Sequence, residues 1–441
     1  MSHRQLMTTL ALAAGAALAV PGAAGAAQYP PPADPKGEQK PPPGPHRTYT
    51  VCAPKGKKAK GCKTTIQAAV DAAKAGDTVK VPDGSYHGGT NVTGASKRYL
   101  RIIGNPKAPA KVKIDATGVS NAKAQNAFKV NGADQVTIDG FSAKGFKGNG
   151  FFVVNVTGYK LTNLIATRVG TYGVYAFNSK GGEMSNSTAS ENNDAGFYIG
   201  QTPPQTKPVR SIVRNVKSFA NVLGWSGTNM RYVTITKSQF YNNGLGIVPN
   251  ALDSEKYAPP EDNVISDNDV FWNNFNYFAG APFQLRPGAT GDSSYPVGTG
   301  ILLFGSRRTT ITGNRVYGNY LLGVGMLEQV LLKQKDAVDL IGNKVTDNQF
   351  GLNGTDKNGH DLYYDGNGSD NCVSGNTGVE KTVPAGAATM APCPFSGANT
   401  YDAAAIGTVL GWVTNLDHEA SWVRVTHPPK AGITPLERYT K

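Results

Sequence analysis

Cysteine, methionine and tryptophan are scarce, at 4, 6 and 4 in 441 residues. No Cys-x-x-Cys pair or close pair of histidines accompanies the cysteines, which counts against a zinc site. Past residue 27 no apolar run approaches the roughly 20 residues of a membrane-spanning helix. Acidic residues are in deficit, 31 against 44 basic, for a formal charge of +13. That excess favours anionic partners, acidic polysaccharide or wall polymer ahead of nucleic acid; a merely solvated basic surface is the competing reading. Part of it lies in the run Lys55-Gly56-Lys57-Lys58-Ala59-Lys60.

The first 27 residues have the pattern of a secretion signal. His3 and Arg4 give a positive start, residues 6–20 an apolar stretch, and Ala24-Gly25-Ala26 a small-residue cleavage site. Residues 28–47 are rich in proline and read as an extended linker. The folded domain is expected over 48–393 and an irregular tail over 394–441, in a secreted, extracellular monomer. In an oxidising compartment, clustering of the cysteines favours disulfides Cys52–Cys62 and Cys372–Cys393, because short loops cost less entropy to close.

What the sequence has in plenty is glycine at a fixed rhythm. Gly150, Gly173 and Gly196 fall 23 apart, Gly224 and Gly246 follow, then Gly300, Gly323 and Gly351. Each is followed by a short apolar run such as Phe151-Phe152-Val153-Val154 or Val174-Tyr175-Ala176-Phe177. A fixed period of this length predicts a solenoid whose repeats bury their apolar faces against one another. A second strand in each repeat ends in a small polar corner: Asn163, Asn215, Asn268, Asn314, Asn343 and Asn376. Asparagines at one corner of successive coils suit hydrogen bonding along the stack. Residues 64–86 read as an amphipathic helix (Ile66, Ala69, Val70, Ala73) and then a strand, a cover for the first coil.

The entry segment TIQAAVDAAKAGDTVKVPDGSY and the repeated V-x-I-x-x-N corner resemble the right-handed parallel β-helix proteins of the pectin-lyase-like superfamily, over roughly residues 64–380. The resemblance implies an all-β stack of coils with three parallel sheets and a ligand groove along one of them. It carries over no catalytic residue. The paired-Asp and Asn-Thr-Asp signatures of polygalacturonase-like hydrolases are absent, as are the Trp-x-Asp-His and Arg-x-Pro-x-x-Arg of pectate lyases and the Asp-Pro-His of alginate epimerases.

Insertions show where a groove would be walled. Segments 201–208, 249–262 and 353–370 are expected to leave one edge of one sheet, and the aromatic-rich 273–300 to enter it from the other side. Proton abstraction from a uronate needs a base and a cation for the carboxylate; glycoside hydrolysis needs two carboxyls. Asp253 and Glu255 are candidate acid/base groups, Arg307 a substrate-carboxylate anchor, and Glu328 a further catalytic candidate facing the 353–370 loop. Lys256, Arg308, Tyr277, Tyr295 and His360 are candidate substrate contacts. The run Asp361-x-x-x-Asp365-x-Asn367-x-x-Asp370 is oxygen-rich, which makes calcium the candidate cofactor; a plain turn-rich loop is the competing reading. The expected function is action on an extracellular, anionic polysaccharide by a lyase- or hydrolase-like mechanism. Non-catalytic glycan or wall binding, or a structural surface role, is the alternative.

Overall fold

A computed structural model describes residues 40–55, 59–274, 296–329, 339–352 and 356–414, and the structural statements below concern these. The expected leader and most of the linker, with Tyr277 and Tyr295, lie outside them.

The glycine rhythm becomes a right-handed parallel β-helix. One side of the stack is an eleven-stranded parallel sheet, the groove sheet, with one strand per coil. Its strands are β1 (Thr90–Thr93), β2 (Asn126–Asn131), β3 (Asn149–Val154), β4 (Val174–Phe177), β5 (Ala195–Gly200) and β6 (Leu223–Thr228). There follow β7 (Leu245–Asn250), β8 (Thr299–Phe304), β9 (Leu322–Leu327), β10 (His360–Tyr364) and β11 (Thr382–Val383). The other two sides form one bent twenty-stranded sheet. Val136–Lys144 and Tyr159–Thr167 run across the bend, and the next coil breaks there into Glu183–Ser185 and Thr188–Ser190.

Strand alternation sends every second side chain inward. On the groove sheet that inward row is Phe128, Phe151, Val174, Phe197, Trp225, Ile247, Ile301, Val324 and Leu362, all buried. Burying each such side chain contributes roughly 1.5–3 kcal/mol.

The marker glycines are required by close approach of the next coil. A Cβ on Gly150 would lie 2.4 Å from the Gly173 carbonyl oxygen, and one on Gly173 2.5 Å from that of Gly196. Gly224, Gly246 and Gly300 repeat the relation with Gly246, Gly300 and Gly323. Gly351 does not belong to the series. It follows a strand of the bent sheet, Gln349–Phe350, and the groove strand of that coil is β10, inside the segment expected to be a loop. Asp361 takes the marker position opposite Gly323, with its carboxylate accepting from Asn358 Nδ2 and the main-chain N–H groups of Glu380 and Lys381.

Asparagine ladders run along three corners rather than one. Asn268, Asn314, Asn348 and Asn376 form one, each side-chain N–H donating to the next Oδ1 at 2.9–3.0 Å. Asn343 belongs to a second, with Asn371 and Asn399, and Asn192, Asn221, Asn243, Asn273, Asn319 and Asn358 form a third. The amides satisfy buried main-chain groups where the backbone turns between sheets.

Helix α1 (Ile66–Ala72) is N-capped by Thr65 and buries Ile66, Ala69 and Val70 over the first coil. Disulfides join Cys52 to Cys62 and Cys372 to Cys393. The tail, read from sequence as irregular, holds helix α2 (Ala403–Thr414). Its Ala-rich start favours helix, Asp402 accepts from the Ala404 N–H, and Ala405, Ile406, Val409 and Trp412 pack on the outer face of the groove sheet.

Candidate active site

Each groove strand also has an outward row, and its chemistry changes along the stack. In register it reads Asn91, Lys129, Phe152, Tyr175, Tyr198, Ser226, Val248, then Leu302, Gly325 and Tyr363. From Val248 on, the row is apolar and packs in a cluster that includes α2. From Asn91 to Tyr175 the side chains keep exposed surface, so the sheet is open over β1–β4. Phe152 and Tyr175 stack face to face at 4.4 Å, and the Lys129 ammonium lies 5.8 Å from the Phe152 ring centroid. Amides line one edge of this floor: Asn155 donates to Asn131 at 3.0 Å and Asn178 to Asn155 at 2.7 Å.

The open floor ends at a step. After β7 the chain does not continue toward later coils. It folds back across β6, and the Tyr198 hydroxyl on β5 donates to Glu255 Oε1. Asn229, buried in the intervening coil, clamps this return through the carbonyls of Leu252, Glu255 and Lys256, and the Lys256 N–H donates to Gln201 Oε1 at 2.9 Å. Glu255 Oε2 is buried with no hydrogen-bond partner.

Asp194, just before β5, is the second carboxyl. It accepts from the Tyr172 hydroxyl, and the Tyr172 and Tyr198 rings lie 4.5 Å apart. Its carboxyl is enclosed although the residue retains some exposed surface. Burial, reinforced by the charge of Glu255, pushes Asp194 up to about 7. Burial likewise pushes Glu255 up to about 7, opposed by the Tyr198 hydrogen bond. Tyr175 is raised by burial and by both carboxylates, so it belongs to the same group. Near neutrality such a pair holds roughly one proton between its members, the condition for having an acid and a base side by side.

Of the residues expected from sequence, Glu255 alone lies in this group. Asp253 and Lys256 are exposed on the returning loop. Arg307 is 8% exposed and set in the corner stack beside Glu261, which pairs with the buried Arg231, so little of it reaches a ligand. Arg308 is half exposed but pairs with Glu261 and Asp262. His360 packs against Trp412 of α2, with ring centroids 5.3 Å apart.

Glu328 and the 353–370 segment do meet, through Asn367 Nδ2 and Glu328 Oε2 at 2.7 Å, four to five groove strands from Tyr198. The three aspartates read as a calcium loop are not brought together. Asp361 is bonded by main-chain N–H groups, Asp365 is buried beside Glu328, and Asp370 accepts from Ser369, Ser396 and the Gly397 N–H. Among the described residues no three His, Cys, Asp or Glu side chains cluster to hold a metal. Two surface depressions, of about 480 and 510 Å³, lie elsewhere, beside the Arg315–Asp269 ion pair and around Asp361 and Lys381. Neither includes Asp194 or Glu255.

No family profile matches the chain, and no curated protein matches it. Solved structures do. The A-module of a mannuronan C-5 epimerase from Azotobacter vinelandii aligns at 15% identity over 72% of this chain and 90% of its own, with a TM-score of 0.47. An alginate lyase from Paenibacillus sp. aligns at 16% over 71% and 97%, TM-score 0.44. A pectate lyase aligns at 16% over 80% and 82%, TM-score 0.40. At these identities the likeness is one of fold alone.

Proposed function

We propose that the chain is a secreted protein that hydrolyses an extracellular polysaccharide, with Asp194 and Glu255 as acid and base and Tyr198 and Tyr172 orienting them. The observation that carries this reading is the pair itself: two enclosed carboxyls, both raised to about 7, at the inner end of an open, amide-edged strand face. Glycoside hydrolysis needs one protonated and one ionised carboxyl, which two such groups supply at neutral pH.

The test is a reducing-end assay on a panel of acidic and neutral polysaccharides, with ultraviolet absorbance of unsaturated uronate read in parallel. New reducing ends without absorbance, lost in both Asp194→Asn and Glu255→Gln, support hydrolysis. A rise in absorbance makes the chain a lyase. Retention on a polymer with neither signal makes it a glycan-binding protein, for which Lys129 and the edge amides would suffice.

A further inference from the structure

A second enclosed acidic pocket lies on the groove sheet, on β9 and β10, about 19–24 Å from Tyr198 at four to five strand spacings of about 4.8 Å. Glu328 follows β9, and Tyr363 and Asp365 lie two apart at the end of β10, so both point to the outer face. Asn367 bridges the carboxyls, donating from its side chain to Glu328 Oε2 at 2.7 Å and from its main chain to Asp365 Oδ1 at 2.9 Å. Tyr401 and Asp402 close the pocket from the start of α2, and the Asp402 N–H donates to the Asp365 carbonyl at 2.7 Å.

Two atoms in the pocket have no partner. Asp365 Oδ2 and Tyr363 Oη are both unbonded, on residues 0% and 1% exposed. Tyr363 lies close enough to Asp365, Glu328 and Asp402 to be raised by all three. No Lys, Arg or His is ion-paired with Glu328 or Asp365 among the described residues. Ionised carboxylates in such a place are costly; a proton relieves the cost at low pH and a bound cation relieves it with the carboxyls ionised. The available donors are all hard oxygens, the set that suits magnesium, calcium or manganese rather than zinc. With two carboxylates, an ion here would keep several waters, and the partly exposed Glu328 and Tyr401 leave it an entry.

We propose that this pocket binds a hydrated divalent cation between Glu328 and Asp365, with the Tyr363 hydroxyl against it, and that the ion fixes α2 over the last coils. The site does not depend on the hydrolytic reading of Asp194 and Glu255.

Terbium titrated into the full chain, with tyrosine excitation, is the probe. The expected result is saturable sensitised emission, reversed by excess calcium or magnesium, with a melting temperature that rises with either ion. Glu328→Gln/Asp365→Asn together should weaken terbium binding roughly tenfold or more and abolish the thermal response, while far-ultraviolet circular dichroism stays that of the parent. Tyr363→Phe should keep the fold and dim the emission. Absent emission, or emission and thermal response unchanged in the double variant, overturns the proposal. So does a parent protein whose melting temperature ignores both ions.

Discussion

The side-chain amide of Asn229 donates to the Glu255 carbonyl oxygen at 2.8 Å, and the same nitrogen serves Leu252 and Lys256. Its Oδ1 accepts from the Leu252 N–H at 3.1 Å, so one buried side chain holds both polarities of the returning loop. Asn229→Ala strands those groups and should cost about 1–3 kcal/mol, measured by urea unfolding. Asn229→Asp should be no milder, because a carboxylate has no N–H for three carbonyls. Limited proteolysis should cut within 250–262 in both variants before the coils unfold. Cleavage at the parental rate would mean the clamp does not hold the loop.

If Asp194 and Glu255 are the acid and base, activity should follow a bell centred near neutral pH, because both are raised to about 7, chiefly by burial, and the charge of Glu255 adds to the rise of Asp194. The limbs belong to the pair rather than to either residue. Tyr198→Phe removes the hydrogen bond that lowers Glu255 and should shift the profile to higher pH while leaving product formation detectable. A pH–rate profile of kcat/KM on the best substrate of the panel decides this. An unmoved profile in Tyr198→Phe would separate the hydrogen bond from the chemistry.

Much of the fold was legible because solenoid packing repeats itself in sequence. The spacing of Gly150, Gly173 and Gly196 registers a real constraint, carbonyl oxygens of the next coil too close for a Cβ. The end disulfides and the covering helix over Ile66 and Val70 followed from local spacing. Gly351 misled, because a glycine that ends a bent-sheet strand with φ +71° looks the same in sequence as one forced by a neighbouring coil. The active-site candidate was half legible. Glu255 was found from its loop, but which way the loop folds depends on Asn229 and Gln201, whose partners are remote in sequence. Asp194, Tyr172 and Tyr198 were missed for that reason. Their only local sign is position: a carboxyl two residues before Gly196, and aromatics in the outward register beside it.

The close approach of coils makes an unambiguous pair of substitutions. A Cβ on Gly246 would stand 2.4 Å from the Gly300 carbonyl oxygen and 2.7 Å from Val270 Cγ1, both fixed in the stack. Gly246→Ala should therefore destabilise by about 1–3 kcal/mol. Gly407, exposed within α2, has nothing within 4 Å of such a Cβ. Gly407→Ala should be neutral or stabilise by up to about 1 kcal/mol, through helix propensity. Denaturant midpoints of the two variants, at equal m-value, check both signs.

Stability should also fall as pH rises through neutrality, against the common pattern for ion-paired or hydrogen-bonded carboxylates. Asp194 and Asp365 are raised from 3.8, and Glu255 from 4.5, to about 7. A carboxyl with a raised folded-state value binds its proton more tightly folded than unfolded. Its contribution is complete below the unfolded value and is lost progressively up to the folded one. Asp115, Glu183 and Asp370 are lowered, so their contributions are lost at the acid end instead. With chelator present, the melting temperature should therefore peak near pH 4–5 and decline toward pH 8. Glu255→Gln should flatten the decline. Adding calcium should flatten it through Asp365, since an ion bound there favours the ionised carboxyl that burial alone penalises. A melting temperature that rises from pH 5 to pH 8 in chelator would show that these carboxyls are ionised in the folded chain, and the proton-sharing pair would go with it.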